Sequence, residues 1–268
     1  MSIPRILLGA AIAAALSIPL TAQQAPTGYH EIACVKVNPG QRAGIEEWIG
    51  GSDHKLAQSL VDSGAIAGTI ALRTELPQGS ASECDYIFVT FFKGLPSAPW
   101  SNEELSKDLK KAGIPMTAGE FFAKRGELAT LVYDNITQYQ TLVGGAKKGD
   151  YLAFNSMNTT DAYACVAYQQ KVWKPLAEEM VKAGNSDGWA INVQVFPRVT
   201  KGKTMVSSVD IYPSWDAFVN VYPSMMDAWK KVHPDMDFNS TMGEQFGKLC
   251  SIENTVLYKV VDVTISAK

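Results

Sequence analysis

The chain repeats itself, and that repetition limits what it can fold into more than any single motif does. Gly64, Gly68 and Pro77 recur as Gly184, Gly188 and Pro197, each 120 residues further on (184 − 64 = 120). A second echo pairs Gly119-Glu120-Phe121-Phe122-Ala123-Lys124 with Gly243-Glu244-Gln245-Phe246-Gly247-Lys248, 124 residues on (243 − 119 = 124). Small loop insertions account for the change of offset. The 268 residues therefore read as two versions of one unit.

Each version has the same order of elements. Tyr29 to Val37 alternates and β-branches like a strand; Asn38-Pro39 then reads as an N-cap with proline at the first helical position. Apolar residues at helical spacing run from Ile45 to Val61, crossing a Gly50-Gly51 interruption, and Gly64 reads as the residue that ends the helix. Ile66 to Leu76 and Asp85 to Phe92 read as strands, Ser101 to Glu104 as a capping box that opens a helix, and Glu127 to Leu142 as a strand. After the small and charged stretch 144–150, read as a linker, the order returns: strand Tyr151–Met157, helix Thr160–Ala183, strands Gly188–Phe196 and Met205–Ile211, helix Ser214–Lys231, strand Asn254–Ile265.

A β-α-β-β-α-β unit is the split βαβ motif, with both helices on one face of its sheet and the other face bare. Two such units on one chain bury those faces against each other most economically. The expectation is an α+β protein of two tandem ferredoxin-like units, 29–143 and 151–268, facing each other as an intrachain α/β barrel. In element order and duplication the chain resembles the dimeric α/β-barrel superfamily, which includes antibiotic-biosynthesis monooxygenase-like proteins and haem-dependent peroxidases. The resemblance implies a fold and a small-molecule site; no position here matches a functional motif of that family, so it transfers no catalytic residue.

Residues 1–22 read as an export signal: Arg5, a 13-residue apolar stretch from Ile6 to Ile18, and Leu20-Thr21-Ala22 before a polar Gln23-Gln24. Thirteen residues are too few for a bilayer core, which takes about 20. The expected mature protein is cleaved near Ala22, not anchored in a membrane, and periplasmic or extracellular. Loss of Arg5 moves the formal charge from −3 to −4, and without a basic stripe nucleic acid is excluded as a partner. The expected assembly is a monomer with an internal pseudo-dimer, or a weak homo-oligomer.

Four cysteines, two in each half and none in a Cys-x-x-Cys pair, fit disulfides rather than a zinc or thioredoxin-like site. They allow three connectivities. In a split βαβ unit the last strand lies beside the first, which brings Cys250 near the opening of the helix that holds Cys165. Cys165 with Cys250 is thus the preferred bridge; Cys34 with Cys84 is the second, on adjacent strands but at different heights.

His30, His54 and His233 are scattered, so no metal and no cofactor is expected, although a lone histidine could serve as a base or axial ligand. Nucleophile-elbow and phosphate-loop motifs are absent. The candidate site is a set of polar residues alternating with apolar ones in the strands of the second half: Asn155, Asn192, Gln194 and Asp210. They read either as a polar pocket inside the barrel that orients a small organic ligand, with Trp173 beside it, or as structural hydrogen-bonding groups. The first half, with Val35, Leu72, Val89 and Phe91, reads as the filled copy. Three functions follow: a small-molecule-binding protein; a cofactor-independent monooxygenase-like or isomerising enzyme with Asp210 or a histidine as base; or a partner-binding module with a filled barrel.

Overall fold

Along β1 (Tyr29–Val37), His30, Ile32 and Cys34 are buried on one side while Glu31 and Ala33 stand half-buried on the other. A strand that works on both faces must be covered on both, and the whole architecture answers that demand. In this computed structural model, which describes residues 28–96, 100–197 and 204–265, eight antiparallel strands form one closed barrel with helices packed on its outside. The proposed export signal falls outside the described residues.

The first half contributes β1, a helical stretch (α1 Arg42–Trp48, a π turn Ile49–Asp53, α2 His54–Asp62), β2 (Gly68–Leu76), β3 (Tyr86–Phe92), α3 (Asn102–Lys111), α4 (Ala118–Leu128) and β4 (Ala129–Gly144). The second contributes β5 (Tyr151–Thr159), α5 (Ala162–Lys182), β6 (Gly188–Phe196), β7 (Thr204–Tyr212), α6 (Trp215–Val219), α7 (Val221–Val232), a π segment Ser240–Phe246, α8 (Gly247–Leu249) and β8 (Ser251–Ile265). Round the barrel the strands run β1-β3-β2-β8-β5-β7-β6-β4 and back to β1. The two halves therefore do more than face each other. Their edges pair at two seams, β2 with β8 and β4 with β6, which leaves no free sheet edge.

The repeated glycines stand at those seams. Gly68 opens β2, and a Cβ there would come within 2.8 Å of the Thr264 carbonyl on β8; a Cβ on Gly188, which opens β6, would come within 2.5 Å of the Val143 carbonyl on β4. Gly64 and Gly184, both at φ +75°, end the preceding helices in the left-handed region that glycine tolerates. The later echo is not kept in packing: Phe246 is buried, while Phe122, its counterpart 124 residues earlier, is exposed beside a buried Phe121.

Side chains from both halves fill the barrel interior: Ile32, Cys34, Leu72 and Ile87 meet Leu152, Val209, Ile211, Tyr258 and Val260. Outside, Ile45, Leu56, Leu60, Leu109 and Phe121 pack on the first half, and Cys165, Val166, Ala177 and Phe246 on the second.

Several local expectations are corrected. Asn38 does not cap the first helix; its Nδ2 donates to the carbonyls of Gly126 (2.9 Å) and Glu127 (3.0 Å), tying the end of α4 to β1. The Ser101 capping box is present, but a second one, Thr117 with Glu120, starts α4 separately, so one expected helix is two. The Gly50-Gly51 interruption is a π turn rather than a break. The expected helix 214–231 divides at Asn220. Both disulfides are formed, with Cα separations of 5.6 Å for Cys165–Cys250 and 5.4 Å for Cys34–Cys84. The height mismatch expected for the second pair disappears because bends at Glu83 and Asp85 carry Cys84 in before β3 begins.

Candidate functional site

The pleat divides the polar residues expected to share one pocket. Asn192 and Gln194 lie on the side of β6 opposite Trp189 and Ile191, which pack outward, so they face the barrel interior. Asn155 and Asp210 face outward, beneath α5. There Asp210 accepts hydrogen bonds from Trp173 Nε1 (3.1 Å) and Asn155 Nδ2 (3.0 Å), and Asn155 accepts one from Thr255 (2.8 Å). Burial raises the Asp210 carboxyl to about 6, against the pull of its two donors. The structure thus brings Asn155, Asp210 and Trp173 together as a closed hydrogen-bonded cluster, and sends Asn192 and Gln194 elsewhere.

Inside the barrel, a cavity of about 380 Å3 opens among Tyr133, Thr137, Phe154, Gln194, Ser207 and Tyr258. His30 lies deeper, hydrogen-bonded to Thr137 through Nε2, and burial holds its imidazole down to about 3, neutral at ordinary pH.

The larger space, about 710 Å3, lies in the first half between the helices and the outer face of the sheet. Its floor is two cross-strand rows fixed by the strand register. One reads Ile136–Glu31–Thr90–Thr69 and the other Asp134–Ala33–Phe88–Ala71–Asp262. Asp53, Leu56, Ala57 and Leu60 from the first helical stretch, with Phe121, Phe122 and Arg125 from α4, make the walls, and Trp100 stands exposed at the rim.

The two halves differ in the residues at this place. With the 120-residue offset, buried Ile45, Leu56 and Ala57 coincide with buried Cys165, Leu176 and Ala177, so the helices keep a common register. In the same register Thr69, Ala71 and Asp53 stand where the second half has Trp189, Ile191 and Trp173. Trp189 and Ile191 are fully buried there and Trp173 reaches Asp210. Bulky side chains close the space beneath α5; small and acidic ones leave it empty in the first half.

The empty space has unusual electrostatics. Burial first, then a hydrogen bond and charge repulsion from Asp134, push the Glu31 carboxyl up to about 7, with Arg125 pulling the other way. Burial also raises Asp53, which makes no side-chain hydrogen bond or ion pair among the described residues; Arg125 and His54 oppose that rise and Asp262 adds to it. Asp262 accepts from His54 Nδ1 at 2.7 Å and has Lys148 at 4.0 Å. A carboxyl raised towards neutrality beside an apolar cavity can act as a proton donor or acceptor. No group of three or more potential metal ligands occurs among the described residues. Nor is any described helix long and apolar enough to cross a membrane.

Glu31, Asp53 and Asp134 were not expected from sequence. Their signal was available: the repeat places Ala153, Trp173 and Thr255 at the matching positions, and a carboxylate that replaces such a residue on one side only marks an asymmetry.

The raised carboxyl predicts a pH dependence. The Glu31 folded value, about 7, lies above the ordinary 4.5, so its favourable contribution is complete below pH 4.5 and lost as pH rises through 7. His30 acts oppositely, destabilising as pH falls below 6.5. A comparison with Glu31→Gln isolates the first effect: the variant should melt above wild type at pH 8, and the gap should close towards pH 5. A gap independent of pH between 5 and 8 would mean that Glu31 titrates normally.

No family model and no curated protein matches the chain. Solved structures do. A provisionally assigned monooxygenase from Fusobacterium nucleatum superposes with a TM-score of 0.54 at 8% identity, covering 90% of this chain and 95% of the other. A provisionally assigned monooxygenase from Lactobacillus acidophilus gives 0.54 at 8%, covering 89% and 96%. An anthrone oxidase-like protein gives 0.50 at 13%, covering 91% and 95%. With its eight-stranded closed barrel and external helices, the chain has the dimeric α/β-barrel fold.

Proposed function

We propose that this is an exported protein, two tandem ferredoxin-like units joined by residues 144–150, that binds a small organic molecule in the helix–sheet cavity of its first half. The observation that carries the reading is the one-sided opening: the same register that fills the second half with Trp173, Trp189 and Ile191 leaves about 710 Å3 beneath the helices of the first. Its size and its apolar walls with a few convergent polar groups are those of a ligand site. Two disulfides accord with export to an oxidising compartment. The expected site moves accordingly, from Asn155, Asp210 and Trp173, whose polar atoms satisfy one another, to Glu31, Asp53 and Asp134.

Filling the cavity tests this. Thr69→Trp copies the second half's Trp189 and should keep the melting temperature within a few degrees while abolishing the ligand-dependent rise that wild type shows across a panel of aromatic compounds. A rise of equal size in both proteins would place the ligand elsewhere.

The Glu31–Asp134 pair favours a second reading, an isomerising enzyme. A Glu31 carboxyl half-ionised near pH 7 can take a proton from a carbon beside a carbonyl and return it at another position. That role belongs to Glu31 rather than to Asp210 or a histidine.

A further inference from the structure

We propose that the first-half cavity is selective for an organic cation, a protonated amine carried on an aromatic or otherwise apolar body. The inference rests on the reading of that cavity as the ligand site and adds the chemical class of its occupant. The charged groups that face it are Glu31, Asp53, Asp134 and Asp262 against Arg125; His54 and Lys148 are partners of Asp262, and His54 also acts on Asp53 through space. Arg125, which lies over the Phe88 ring 4.8 Å from its centroid, is one guanidinium against four carboxyl groups, and it acts on both Glu31 and Asp53. Asp53, half-buried on the cavity wall, makes no side-chain hydrogen bond or ion pair among the described residues and meets Arg125 and His54 only through space.

A half-buried carboxylate without a direct partner is costly, and a ligand that brings a cation into contact with it removes that cost. The walls supply the second half of the recognition. Phe88, Phe92, Phe121 and Phe122 with Trp100 at the rim offer ring faces to an ammonium group and an apolar surface to its body. An anionic ligand would meet four carboxyl groups, with Arg125 the cationic side chain among the described lining residues.

Three probes of one shape separate the possibilities: 2-naphthylmethylamine, 2-naphthylmethanol and 2-naphthoate, titrated calorimetrically at pH 7.5 into the intact protein. The amine should bind about tenfold or more tighter than the alcohol, the margin of a charge-assisted hydrogen bond, and the naphthoate more weakly than either. Asp53→Asn should remove the amine's advantage and leave the alcohol unchanged. Arg125→Gln, which removes the guanidinium that opposes both Asp53 and Glu31, should strengthen the amine, and reads the same electrostatics should Asp53→Asn fold poorly. Equal affinities for amine and alcohol would overturn the charge inference while leaving the cavity reading intact. So would an amine advantage unchanged in both variants. No binding by any of the three would defeat the inference together with the reading beneath it.

Discussion

Breaking the Cys165–Cys250 bridge by a double Cys→Ser change should lower stability by about 4 kcal/mol, because the bridge closes an 85-residue loop in the unfolded chain. Both sulfurs are buried, at 0% and 1% residue exposure, among Met157, Val166, Ile191 and Phe246, so the serines add two hydroxyls to an apolar site. For a chain of this size the melting temperature should fall by roughly 10 °C or more. The Cys34–Cys84 loop of 50 residues should give a similar but slightly smaller loss. A double variant that melts within two degrees of wild type would show that the bridge does little in the unfolded state.

The second large effect concerns barrel closure. Gly188 and Gly144 oppose each other across the β4–β6 seam, and Gly144 sits at φ +66°, where a Cβ would lie 2.1 Å from the Asp187 carbonyl. Backbone atoms cannot step aside as a side chain can. Gly188→Val should therefore cost about 3 kcal/mol or more by overpacking, and Gly68→Val should do the same at the β2–β8 seam, where Thr264 blocks the space. Gly119→Val is the control, since nothing lies within 4 Å of its would-be Cβ and valine is the better helix former; its stability should change by less than about 1 kcal/mol. Denaturant unfolding of the three variants checks the ranking, and a seam variant as stable as the control would deny that the seams are tightly closed.

The strands were legible because their apolar alternation and glycine boundaries are local signals: β1, β2, β3, β5 and β6 stand within two residues of where periodicity puts them. The duplication was legible for the same reason. Edge pairing between the halves was not, because a strand's second neighbour is set by long-range register that no local pattern encodes. The second capping box at Thr117 was present in the sequence but lay inside a stretch already read as one helix.

The candidate site shows a subtler limit. Alternation distinguishes two faces of a strand, yet does not say which face looks into the barrel; Asn155 and Asn192 were therefore grouped although one points out and the other in. Hydrogen-bonding groups that satisfy each other look, as residue types, the same as groups waiting for a ligand. The decisive clue was a difference between copies, small or acidic residues at 53, 69 and 71 against large ones at 173, 189 and 191. Only a register anchored on Gly64 and Gly184 turns that difference into a cavity.

The location of the ligand can be read directly from a crystal soaked with a bromine-labelled naphthylmethylamine, using anomalous scattering to find the bromine. The account predicts a peak in the first half, between α2 and the outer sheet face bearing Glu31, Thr69 and Asp134. A peak inside the barrel near Gln194, or beneath α5 beside Trp173 and Asp210, with the first-half space unoccupied, would contradict it.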